Sequence, residues 1–440
     1  MSAPETEKLT HKRVLHLAVP IMLSNATVPI LGAVDTGVVG QMGLAAPIGA
    51  VGIGAVILSA FYWVFGFLRM GTVGLTAQAE GQGDRGEVAA LLTRALLIGL
   101  GAGVVIVALQ GVLFWAAFQV SPASAEVEGL ARQYMAVRIW SAPAAIALYG
   151  ITGWLIAQER TRAVLVLQLW MNGLNIALDV WFVLGLGWGV QGVAFATAIA
   201  EWSGSALGLW FCRAVFAGIA WRAWGAVFDG ARWRRMMGVN SDILIRSLLL
   251  QAIFLSFMLM GAAQGDVTLA ANQVLIQFLM IASYALDGFA FSAEALVGKA
   301  AGARKPEMLR RAATLVWGWA MASAVGMGII FALFGGMIVD LMTTSPEIRE
   351  ITRIYLPYLV FLPVIGCTAF ILDGVFVGAT RSRDMRNMMA VSFCVYVVCV
   401  VVLVPIMGNH GLWVSMLISF VARAATLGAR YPALERSAEG

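Results

Sequence analysis

Twelve stretches of this chain run apolar for about 20 residues or more, the length needed to cross a bilayer as a helix. They fall near 14–40, 46–78, 89–118, 128–157, 163–186, 190–214, 236–262, 268–298, 311–340, 351–379, 387–407 and 411–430. Short polar or Gly/Pro-rich joints separate them. The chain is 60% hydrophobic and only 12% charged, about half the charged fraction of a soluble domain, so its apolar excess has to face lipid. An all-α integral membrane protein with twelve transmembrane helices is therefore expected. The run from Val14 to Val39 is longer than the roughly 7–15 residues of a secretory signal core and reads as a retained first helix. Cys212, Cys367, Cys394 and Cys399 sit in or beside apolar runs without metal-ligand spacing, which points to neither disulfides nor zinc.

Basic residues near span ends stay on the cytoplasmic side. With the amino terminus inside, 23 of the 29 Lys and Arg residues fall on inner segments and three, Arg132, Arg349 and Arg353, on outer ones. Arg69, Arg138 and Arg246 fall within spans. Both termini are then cytoplasmic in a multi-pass protein. The net charge of +5 is explained by insertion, with no need for a nucleic-acid partner.

The longest inner segment, 214–235, mixes Trp221, Arg222, Trp224, Trp233, Arg234 and Arg235 and suits the lipid interface as an amphipathic linker. It divides an amino-terminal six-helix lobe, 1–213, from a carboxy-terminal one, 236–440. Gly81 and Gly302, Gly153 and Gly374, Arg160 and Arg381, and Tyr134 and Tyr355 are each 221 positions apart. A duplication of six spans, an even number, yields two bundles of the same orientation, a parallel repeat.

Four segments carry a family resemblance: "VPILGAVDTGVVGQMG" at 28–43, "FGFLRMGTVGLTAQAEGQGD" at 65–84, "YALDGFAFSAEALVGKAAGA" at 284–303 and "LDGVFVGATRSRDMRN" at 372–387. Together they resemble the multidrug and toxic compound extrusion family, in its DinF-like branch, over about residues 10–430. The resemblance implies a V-shaped pair of lobes that alternate access and export organic compounds, often cationic or amphipathic, in exchange for protons or sodium. The resemblance also implies a bacterial plasma membrane location, and no further cofactor. A monomer is expected, with small organic substrates and membrane lipid as its partners.

Charged groups inside a span cost roughly 2.5–3.5 kcal/mol on insertion scales and mark function. Asp35, Asp179, Glu201, Asp287, Glu294 and Asp373 qualify. Asp35 is in the outer half of the first span, where Pro20 and Pro29 predict a bend. Asn172, Asn175 and Asp179 are spaced to share one face of the fifth span. The resemblance implies that Asp35, Asn175 and Asp179 bind the coupling cation, with Tyr134 and Thr197 extending the network. The plainer alternative is a seam of polar packing. Desolvation favours the neutral carboxyl, as a proton carrier requires. Sodium at Asp35, Asn175 and Asp179 is the competing ion, because amides and carboxylates offer oxygen ligands.

In the second half, Asp287, Glu294 and Asp373 are read as a secondary coupling site or inner gate, against pairing at the interface with Lys299 or Arg381. The span 7 glutamate that some family branches use for sodium has no match, since Arg246 and Gln251 occupy that stretch, and this favours protons. Glu201 reads as near the inner end of its span and solvated, and Arg69, Arg138 and Arg246 as snorkelling side chains. No GxxxxGK[ST] loop is present. His11, His16 and His410 are scattered near span ends, which argues against a membrane enzyme. A lipid-linked precursor flippase of the same superfamily is the remaining alternative.

Overall fold

A computed structural model describes residues 9–41, 45–120 and 124–439, and among them there is no β-strand. Twelve helical segments follow one another: α1 His11–Gly40, α2 Ala46–Gln82, α3 Arg85–Ala108, α4 Ala125–Ala157 and α5 Thr161–Gly185, α6 Gly189–Phe211, α7 Gly230–Ala262, α8 Asp266–Gly302, α9 Pro306–Met342, α10 Pro346–Gly378, α11 Ser382–Met407 and α12 Asn409–Arg436. Ten of these are long and apolar enough to cross a membrane. The 30 residues of α1 and the 23 of α6 complete the twelve. The helix of α1 continues through Pro20 and Pro29 without interruption, although neither proline has an N–H to donate.

Two compact units emerge. One holds Leu23–Thr76 and Asp84–Arg234, and the other holds Met1–Met22, Ala77–Gly83 and Arg235–Gly440. The linker belongs to the first, because Arg94 on α3 clamps it. Arg94 is completely buried; its Nε donates to the Val227 carbonyl at 2.8 Å and an NH2 nitrogen donates to the Ala226 carbonyl at 2.6 Å. A cation among the orphan carbonyls of a helix C-terminus is a favourable pairing. Its remaining nitrogen pairs with Glu87 at 2.6 Å, which also binds Arg232. In the carboxy-terminal unit, Phe257, Phe278, Tyr396 and Trp413 form the buried core, and the Phe257 and Trp413 rings meet edge-on at 4.7 Å. Asn272 and Asn409 exchange amide hydrogen bonds of 2.8 and 2.9 Å beside them, satisfying polar groups that lipid could not.

The 221-residue offset is written into the backbone. Gly83 and Arg304 both adopt positive φ, as do Glu159 and Thr380, and Gly187 and Gly408. Each member of a pair lies 221 positions from the other. The turns after α4 and α10 close alike: Arg160 N–H donates to Leu155 O and Arg381 N–H to Phe376 O, both at 2.9 Å. Close helix approaches repeat too. A side chain on Gly153 would overlap the carbonyl oxygen of Arg69, and one on Gly374 that of Ala290. Within the carboxy-terminal unit, Gly81 abuts the Lys299 carbonyl and Gly302 the Gln78 carbonyl, a reciprocal contact in which the partners are again 221 apart. Backbone cannot yield as a flexible side chain does. Gly302→Val should therefore cost about 1–3 kcal/mol or more and lower the thermal midpoint in detergent. Gly428→Ala, whose added carbon meets nothing within 4 Å, should leave it unchanged.

Candidate functional site

In the amino-terminal unit, the polar face predicted for α5 is buried and tied to two neighbours. Gln168 donates to Asn172 Oδ1 at 3.0 Å, one turn along the same helix. Asn172 Nδ2 donates to Thr27 Oγ1 on α1 at 2.8 Å. Asn175 Nδ2 donates to Thr197 Oγ1 on α6 at 3.3 Å, and Thr197 anchors itself on the Val193 carbonyl at 2.9 Å. Asn175 Oδ1 is buried and accepts no hydrogen bond among the described residues. A buried amide oxygen with unused lone pairs is unusual and suits a proton donor or a hard cation. Asp179 is fully buried. It is the last residue of the α-helical part of α5, before a π-helical turn over Val180–Gly185, a local distortion often found at functional sites. Tyr134 is buried on α4 and its ring covers Gly54 of α2. Thus Asn175, Asp179, Thr197 and Tyr134 are all inside this unit. Asp35 lies on α1, but its side chain is outside the described residues.

The same unit contains a pair that sequence reading missed. Arg138 and Glu201 form a two-pronged ion pair of 2.9 and 3.2 Å, with side chains only 12% and 13% exposed. Glu201 is neither near the inner end nor solvated, for it stands at the middle of α6. Arg138 does not snorkel. Ser141 Oγ accepts from the guanidinium at 3.3 Å, and the Tyr62 ring lies 5.7 Å from it. The available signal was two opposite charges, each near the centre of its own span within one half of the chain.

The carboxy-terminal acids have taken another arrangement. Asp373 is buried between Arg246 of α7 and Arg423 of α12, accepting from both guanidinium groups, with Arg423 Nε at 3.2 Å from Oδ1. Its partners are therefore neither Lys299 nor Arg381; the latter pairs with Asp384 and caps the Ala433 carbonyl. Arg246 and Arg423, read as a snorkelling and a cytoplasmic residue, are mid-helix and buried. Glu294 is also buried, and the charges of Asp287 and Glu294 act on Arg246. A second buried set joins Asp242 to Ser382 at 2.9 Å and Arg386 at 2.6 Å. Asp287 and Glu294 thus lie near the arginine that, with Arg423, pairs with Asp373. No group of His, Cys, Asp and Glu residues suited to a metal ion occurs among the described residues.

These features define a polytopic α-helical membrane protein with two repeated bundles and charged groups sequestered in each. The MatE family model matches residues 20–181 and again 243–406, and the chain belongs to that family, the multidrug and toxic compound extrusion transporters. It is 38% identical over 424 residues to the DNA damage-inducible protein F of Escherichia coli K12, covering 95% of this chain and 91% of that one. A probable multidrug resistance protein NorM of Rhodopseudomonas palustris is 26% identical over 447 residues, covering 96% and 92%. A crystal structure of a MATE protein in a bent conformation superposes with a TM-score of 0.87, at 19% identity, over 98% of this chain and 97% of that one.

The Asp373 network sets a stability test. Asp373→Asn leaves two buried guanidiniums without their shared counter-charge, and such a loss typically costs about 3–5 kcal/mol. Yield of monodisperse protein and its thermal midpoint should both fall sharply, and the conservative Arg423→Lys should restore neither.

Proposed function

We propose that this chain exports organic compounds, often cationic or amphipathic, across a bacterial plasma membrane by proton antiport with alternating access, acting as a monomer with both termini in the cytoplasm. The observation that carries the reading is the buried face of α5, where a carboxylate sits among amides that link three helices. A family of transporters and a relative named as a multidrug resistance protein supply the class of substrate.

Helical register supports Asp35 as the partner of Asp179. α1 and α5 run in the same direction and are fastened at Thr27 and Asn172. From there residue 35 is eight positions on and residue 179 seven, about 12 and 10.5 Å at 1.5 Å per residue, so the two come level. Two acidic positions level on neighbouring helices suit a proton-binding site. Arrival of a proton from outside removes a negative charge, weakens the hold on a cationic substrate and favours the shape that has released it. Return to the inward-facing shape carries the proton in. Sodium is the second reading, favoured by the open Oδ1 of Asn175 beside carboxylate oxygens. The carboxy-terminal acids are less suited to coupling, because Asp373 already has two internal cations.

Efflux of a fluorescent organic cation from proteoliposomes, under separately imposed proton and sodium gradients, tests the proposal. A proton gradient should drive the wild-type protein, and Asp179→Asn and Asp35→Asn should each fall to the rate of empty vesicles while remaining folded. Efflux driven by sodium alone would replace the ion, and unchanged efflux by both variants would remove the site.

A further inference from the structure

The Arg138–Glu201 pair belongs to no part of the cation site described above, yet it lies one helical turn from it. On α6, Glu201 follows Thr197 by four residues, and on α4, Arg138 follows Tyr134 by four, so each member of the pair stands directly inward of a member of the upper network. Asn175 is one turn inward of Asp179 and donates to Thr197. A polar column therefore descends through the amino-terminal unit: Asp179, Asn175, Thr197, then Glu201 with Arg138. Charged and titratable groups surround Glu201, and Arg69 of α2 acts on Tyr149 beside it. Arg138 and Ser141 of α4 touch the pair, while Tyr62 of α2 and Tyr149 of α4 are near enough to sense the Glu201 charge. The ionisable groups of α5 are Arg162 at its inner end and Asp179 near its outer end. Outside the pair, Trp202 Nε1 donates to the Trp140 carbonyl at 3.2 Å, closing α4 onto α6 on the face beyond.

Stability does not account for the pair. Desolvating two charges offsets much of their attraction, and apolar residues of equal volume generally serve a core as well or better. Inside a membrane, paired ionisable groups of this kind mark proton relays.

We propose that Glu201 is a second proton-binding carboxylate of the amino-terminal unit, receiving protons from the Asp179 side along the column that Asn175 and Thr197 line, with Arg138 as the internal cation it releases. This inference rests on the proton-antiport reading. The carboxylate accepts a proton and becomes a neutral carboxyl. Arg138 keeps its charge and its contacts with Ser141 and the Tyr62 ring. Loss of the proton on the inner side restores the pair, and attraction to Arg138 drives that release.

The test separates proton release from substrate binding. In proteoliposomes, Glu201→Gln should lose efflux driven by a proton gradient, together with its pH dependence, while exchange of labelled for unlabelled substrate at equal pH persists, because exchange needs no net proton release. Glu201→Leu/Arg138→Met, an apolar pair of similar volume, guards against misfolding. It should fold and exchange substrate but should not regain driven efflux. Driven efflux at the wild-type rate in Glu201→Gln, or its recovery in the apolar double variant, would make the pair purely structural and overturn the proposal. If a proton gradient fails to drive the wild-type protein, the antiport reading itself falls, and the inference with it.

Discussion

An ion surrounded by hydrocarbon has no water to fall back on, and this governs the interior of the protein more than any other constraint. A partner must be found for each sequestered charge or the helix carrying it becomes costly to insert. The buried charges seen here obey that rule by different means. Arg94 fills its donors with helix-end carbonyls and Glu87. Arg138 and Glu201 satisfy each other, and Asp373 is shared by two arginines. The twelve-helix framework sets these groups at defined depths, and the glycine contacts that let α8 and α10 approach bring their carriers within reach.

The two bundles share a backbone plan while their polar interiors have diverged. The turns at Gly83 and Arg304, and at Glu159 and Thr380, keep the same conformation. By contrast, the amide-rich face of α5 has no equivalent on α11, where Ser382, Ser392 and Tyr396 are the buried polar groups. Asp373 is held between two guanidinium groups. Duplication thus supplied a scaffold twice. The polar side chains buried inside each copy differ.

The architecture was readable in advance because span length and residue spacing are properties of a single helix. The 221-residue offset and the shared face of Asn172, Asn175 and Asp179 came from such local patterns, whereas Tyr134 and Thr197 entered through the family resemblance. What escaped was pairing between helices. Nothing within α6 tells that Glu201 will meet Arg138, and nothing within α10 tells that Asp373 will meet Arg246 and Arg423 instead of the nearer Arg381. Depth was also misjudged: Glu201 falls at the middle both of its apolar run, 190–214, and of α6, and Arg423 falls at the middle of α12.

Three of the repeated turns place residues other than glycine in the left-handed region: Glu159, Arg304 and Thr380, at φ of 57°, 53° and 51°. For an ordinary side chain that conformation costs about 1–2 kcal/mol, and for the β-branched Thr380 it is least natural. The first copy solved one of these positions with Gly83, the second left Arg304 in its place. These loop positions are thus small reserves of strain, removable without touching either bundle interior. Asparagine at them gives a route to a form hardy enough for detergent, nanodisc and imaging work, where helical transporters are most often lost.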